Sequence, residues 1–218
     1  MDVVGMLEAA SLLVPEGVVT GDDITVADVW DYLAHDEWEV ALGLLEELAG
    51  EWSAPSGFWG EMEVAAEMLG CGRSREWCWW RGAEERLGVI RAELVLRPAG
   101  ETFRRTPIPG AGVMRPMWDI GHRRDDGACE LDIAVLWVEF ADELAPGAQA
   151  AVRLLPLTAP RWRHRAPGDR ITLYETAQAG GTATILEVRP SASARRCLAV
   201  QSSGRYLVPH DNGAARSR

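Results

Sequence analysis

The stretch Arg104–Gly121, RRTPIPGAGVMRPMWDIG, holds three prolines and three glycines. At that density the two residues read as a loop or an interdomain linker. Proline fixes φ and removes a donor, while glycine opens conformations closed to other residues. The same stretch carries Arg104, Arg105 and Arg115, whose guanidinium groups recognise anions, and Trp118, which favours burial. Hinge, binding loop and part of a folded barrel are its three possible fates. The flanking sequence decides between them.

On the N-terminal side the apolar residues recur with helical spacing. Thr25 and Asp28 form a capping-box pattern, with Val29, Trp30 and Leu33 on one face behind it. Asp36–Glu39 reads as a second start, followed by Val40, Leu42, Leu44, Leu45 and Leu48 and closed by Gly50. Ser56 is placed to cap a third helix that Gly70 stops. A fourth segment runs from Ser74 to Arg86 and carries Trp77, Trp79 and Trp80. Three to four antiparallel helices with short connections follow from this spacing. Successive helical residues turn about 100° apart, so the rings of Trp77-Cys78-Trp79-Trp80 cannot all face one core. Trp77, Trp79 and Trp80 are therefore the expected interface with whatever follows.

On the C-terminal side the period changes to two. Ala92–Leu96, Asp132–Val138, Ala151–Leu155, Ile171–Glu175 and Gly181–Val188 are strand-like. Pro98-Ala99-Gly100, Pro146-Gly147 and Pro167-Gly168-Asp169 supply turns. Short strands broken by such turns indicate an antiparallel sandwich or small barrel. The expectation is an α+β chain in two parts: an acidic helical bundle, then an antiparallel β-barrel of about six strands. Residues 1–23 are read as an N-terminal extension, 24–88 as the helical domain, 89–190 as the barrel and 191–218 as a mostly disordered tail.

Charge divides the chain at the same place. Residues 1–90 hold 19 acidic residues and 4 arginines, and residues 91–218 hold 14 acidic residues and 18 arginines, with no lysine anywhere. A net charge near −15 against one near +4 implies parts with different partners, or parts that attract each other. No apolar run of about 18 residues is present, so no membrane partner is expected. The N-terminus lacks the basic flank of a signal peptide, which makes the cytoplasm the expected location. Cys71, Cys78, Cys129 and Cys197 form no CxxC pair and no zinc pattern with the four histidines. Reduced thiols, no metal and no cofactor are expected.

From Arg91 to Val188 the order of motifs resembles the third domain, a β-barrel, of elongation factor Tu. The opening strand Ala92-Glu93-Leu94-Val95-Leu96 is similar to that family's first strand, and Arg104-Arg105-Thr106-Pro107 to its R-x-T-P motif. Gly112-Val113-Met114-Arg115-Pro116-Met117-Trp118 matches its G-Y-R-P-aromatic loop. Leu144-Ala145-Pro146-Gly147-Ala148 is similar to its PGD turn without the acid, and Tyr174–Ile185 to its last hairpin. The resemblance implies a translation-factor-type barrel, with the quoted stretch inside it and Trp118 buried in a strand. It also implies contacts through Arg104, Arg105, Arg115 and the Tyr174–Gly181 hairpin. GTP hydrolysis is not implied, because no GxxxxGK[ST] loop and no lysine exist to hold phosphates. Gln178 stands where the family places an arginine near RNA, and Met114 where it has tyrosine.

No HExxH, GxSxG or dinucleotide fingerprint occurs, and His122–Gly127 reads as a polar turn. No catalytic residue is named. The expected function is a non-enzymatic binding or adaptor protein with a protein partner. A tRNA- or RNA-binding module is the alternative that uses Arg161, Trp162 and Arg163, since guanidinium and indole planes grip phosphates and bases. A third reading takes the acidic helices, similar to small immunity proteins, as a mask for a basic toxin.

Overall fold

A computed structural model describes residues 2–102 and 104–195. Five helices come first: α1 (Val3–Ser11), α2 (Val26–Ala34), α3 (Trp38–Leu48), α4 (Ser56–Leu69) and α5 (Gly72–Leu87). Eight strands follow: β1 (Val89–Leu96), β2 (Ile108–Pro109), β3 (Met117–Asp119), β4 (Asp132–Val138), β5 (Glu143–Leu144), β6 (Gln149–Pro156), β7 (Arg170–Glu175) and β8 (Gln178–Arg189). A 3₁₀ turn, Ala159–Trp162, joins β6 to the approach of β7.

The helices form one core around Leu7, Val29, Leu42, Leu45, Leu48, Phe58, Trp59 and Met62. Residues 1–23 are not an appendage. α1 buries Val3, Leu7 and Ala10 in that core, and Asp2 caps it by accepting from the Gly5 N–H. The Thr25 backbone N–H donates to the Asp28 carboxylate at 2.8 Å, which holds the start of α2 and lowers the Asp28 pKa. Pro55, not Ser56, is the N-cap of α4, and Glu37 starts α3 without a side-chain cap.

Cys78 is fully buried beside the Glu46 carboxylate. Burial, reinforced by that negative charge, pushes its thiol far above the ordinary range. A thiol-alkylating reagent is expected to leave Cys78 unmodified in the native protein and to label it only after denaturation, as peptide mass spectrometry would show.

Six strands close a barrel in the order β1-β6-β4-β3-β7-β8, with every pairing antiparallel and β8 returning to β1. Along β1, Ala92, Leu94 and Leu96 point inward while Glu93 and Val95 point out, as the pleat requires. The quoted stretch is neither linker nor hinge. Its Ile108–Pro109 pairs with Glu143–Leu144 in a small outer sheet, and Trp118 is fully buried between Asp132 of β4 and Leu173 of β7. Gly110 and Gly112 seat this strap against the molecule. A Cβ on Gly110 would lie 2.4 Å from the Ala141 carbonyl oxygen. One on Gly112, whose φ is +70°, would lie 2.9 Å from the Trp80 ring. Pro116 is buried and Arg115 is exposed.

Of the segment read as a mostly disordered tail, residues 191–195 are described. Residues 192–195 make a helical turn, and Arg195 pairs with Glu85 of α5 at 2.6 Å. Residues 196–218, read as the rest of the tail, lie outside the described residues.

Candidate functional site

The bundle meets the barrel along α5. Trp77, Trp80, Arg81 and Glu84 fall at i, i+3, i+4 and i+7, so one face of the helix presents all four. Trp80 and Ala83 pack on Val89, Val135, Trp137 and Leu155, which point outward from the barrel. The rings of Trp77 and Trp80 lie 5.3 Å and 5.5 Å from that of Trp137. Trp79, expected at this interface with the other two, faces solvent instead at 50% exposure. It sits about 100° of helical rotation from Trp80.

A chain of alternating charges runs through the contact. Glu84 is buried and accepts from the Trp80 indole N–H at 2.7 Å and from Arg153 at 2.8 Å through both carboxylate oxygens. Arg81 reaches the same carboxylate at 3.1 Å. Arg153 in turn lies 2.7 Å from Glu139, whose two carboxylate oxygens accept parallel N–H groups from Arg91 at 2.9 Å and 2.8 Å. Burial lowers the Arg81 pKa, although Glu84 opposes the shift. Sequence reading missed these five residues. The signal for Glu84 was its place on the Trp77 and Trp80 face. For the barrel side it was the unbroken run Val135-Leu136-Trp137-Val138, since a strand without alternation is covered on both faces.

Of the residues singled out for binding, Arg104, Arg105 and Arg115 come together with Tyr174, Glu175 and Thr176 around an open cleft of about 520 Å³. Residues 104–117 form one wall and the tip of the β7–β8 hairpin the other. Arg104 is spent on structure. It pairs with Glu175 and donates to the Thr106 carbonyl at 3.1 Å and the Pro107 carbonyl at 3.3 Å. Arg105 donates to the Thr102 carbonyl at 2.7 Å and keeps its charge uncompensated among the described residues. Arg115 is exposed and has no ion-pair partner among them, so it is the cation most open to a ligand. Met114, Pro116 and Met117 supply apolar contact beside it. Gln178 is exposed at the base of the hairpin turn, opposite Glu175, and does not line the cleft.

Arg161, Trp162 and Arg163 do not join this group. Arg161 is held by Glu130 at 3.0 Å and Asp132 at 2.6 Å, which push its pKa further up. Trp162 is buried in the barrel core, so its ring cannot stack on a base. Arg163 is exposed and borders a separate groove beside Leu87 and Pro190. The turn at His122–Gly127 is ordered by contacts with the same region. His122 Nδ1 lies 2.8 Å from the Arg161 guanidinium and 3.3 Å from the buried Asp132, and its ring stacks on His164 at 4.9 Å.

Among the described residues no group of His, Cys, Asp and Glu side chains is arranged to hold a metal ion, and no helix is long and apolar enough to cross a membrane. No protein-family model matches the chain, and no curated protein matches it.

Proposed function

We propose that the protein is a non-enzymatic binding or adaptor protein. It seats a protein partner in the cleft between residues 104–117 and the β7–β8 hairpin. The observation that carries this reading is convergence. Arg104, Arg105, Arg115 and the start of the hairpin, Tyr174–Thr176, are contacts that the resemblance implies together; they lie far apart in the chain and border one cleft, while Gln178 does not. The resemblance of Arg91–Val188 to the third barrel of elongation factor Tu supports a barrel used for docking rather than for catalysis. Arg115 beside Met114, Pro116 and Tyr174 fits a partner segment that offers a carboxylate next to an apolar side chain.

A protein is favoured over RNA because only Arg105 and Arg115 keep an uncompensated charge at this cleft. Arg104, Arg123, Arg153, Arg161, Arg165 and Arg189 all sit in ion pairs, whereas backbone binding along a nucleic acid draws on several uncompensated cations. The acidic bundle supports a second reading as a cover for a basic protein. Trp30 and Tyr32 are 36% and 39% exposed among the exposed carboxylates of Asp31, Asp36 and Glu37. Aromatic rings within a charged surface are the usual anchors of a protein interface.

One experiment separates the three. A photo-crosslinking amino acid is placed at Thr176 or at Tyr32 in source cells, and cross-linked protein and RNA are both identified. The cleft reading expects one dominant protein from the Thr176 probe, reduced at least tenfold by Arg115→Glu. RNA at Thr176 would replace it with the nucleic-acid reading. A basic protein captured at Tyr32 alone would replace it with the second.

A further inference from the structure

On one side of the buried charge chain the bundle and barrel diverge and leave a second cleft, of about 510 Å³. It is bordered by α3, the first half of α5 and the loop between β4 and β5. Three features show that it is shaped for something other than the chain's own packing. Phe140 lines it at 92% exposure with φ at +57°. A bulky side chain in left-handed backbone is strained, and here burial does not offset the strain. Gly43 lies in the interior of α3, where glycine weakens a helix. A Cβ there would meet nothing within 4 Å, so packing within the described structure does not demand glycine, and its effect is to widen the cleft.

The third feature is charge. Arg73 pairs with Asp142 across the two walls, Arg81 and Arg153 pair with Glu84, and Glu139 is shared by Arg91 and Arg153. Glu46 and Glu47 are the lining residues without an ion-pair partner among those described. Glu46 is partly buried against Cys78, and desolvation raises its carboxyl pKa although Ser74, Cys78 and Arg73 oppose the shift, so a further cation placed beside it would relieve the part of that burial they leave. Arg81 and Arg153 already lie over the Trp77 ring, at 5.2 Å and 5.5 Å, so the open aromatic face is that of Phe140; with a carboxylate that has no ion-pair partner it selects positive charge on an apolar body.

We propose that this cleft binds a small organic cation, its charged nitrogen on Glu46 and its apolar or aromatic body against Phe140. The site is separate from the Arg115 cleft and does not depend on the reading given to it.

Tryptamine is the test ligand, with neutral tryptophol and anionic indole-3-propionate as matched controls, titrated calorimetrically into the full chain at low salt. Tryptamine is expected to bind at least tenfold more tightly than either control. Glu46→Gln should weaken it at least tenfold, while Trp79→Ala, outside the cleft on α5, leaves it unchanged. Gly43→Ala should weaken it too, yet raise Tm, because the added methyl supports α3. Equal affinity for the three indoles overturns the proposal. So does the absence of tryptamine binding in a wild-type chain whose Tm Gly43→Ala still raises.

Discussion

Glu84→Ala is expected to lower the free energy of unfolding by about 3–5 kcal/mol, the range for removing one partner of a buried ion pair. The deleted carboxylate accepts from Trp80 and Arg153 and faces Arg81. Without it, Arg81 and Arg153 remain as like charges at a covered interface, and the Trp80 N–H loses its acceptor. Two further consequences follow. The bundle and barrel should begin to unfold in separate transitions, because their main polar link is gone, and tryptophan fluorescence in a urea titration would show them. The double variant Glu84→Ala with Arg81→Met should recover part of the loss, since Arg81 has no other ion-pair partner among the described residues, whereas Arg153 keeps Glu139. Glu47→Ala, at an exposed position on α3, serves as control and should stay within about 0.5 kcal/mol of wild type. A loss under about 1 kcal/mol for Glu84→Ala would mean that the network is not a support of the fold.

Trp118→Ala is expected to cost about 3–5 kcal/mol, the usual toll for emptying a buried aromatic site. The indole is fully buried in the barrel with Ile120, Leu136 and Leu173 in the same core. Val113→Ala, in the same proline- and glycine-rich stretch but 65% exposed, should change stability by less than about 0.5 kcal/mol. The pair tests the strap directly. A linker would tolerate both changes alike, whereas a barrel component tolerates only the second. Equal midpoints for the two variants in denaturant would return the stretch to the status of a loop.

Much of this was legible before any coordinates. The change of period from 3.6 to 2 places the switch from helix to strand at Gly88, whose φ of +85° ends α5. The capping pair Thr25 and Asp28 is a local hydrogen bond and was readable as such. The residues Ala92, Leu94 and Leu96 declare their inward face by alternation alone. Where the reading went astray, packing chose between locally equivalent options. Trp79 has the same composition signal as Trp80, but the phase of α5 turns one ring into the interface and the other into water. Arg161, Trp162 and Arg163 look like a basic-aromatic grip in one dimension. In three, Asp132 and Glu130 take the first and the barrel core takes the second. The N-terminal residues looked like an extension because one apolar turn carries little periodic signal, and only their seat against α4 reveals them as core.

The sequence by itself determined the kind of α2 to α5 and of the long barrel strands, the acidic helical half and the strand-rich half, and the site of the switch between them. Those are properties of neighbouring residues, and hydrophobic period and turn chemistry report them. The tertiary structure alone decided the strand order β1-β6-β4-β3-β7-β8 and the meeting of Arg115 with the β7–β8 hairpin. It alone decided that Glu84 is answered by Arg153, sixty-nine residues away. Antiparallel pairing and ion pairing join groups whose separation along the chain follows no repeat. They are settled only when closure of the barrel and burial of α5 bring those groups within reach.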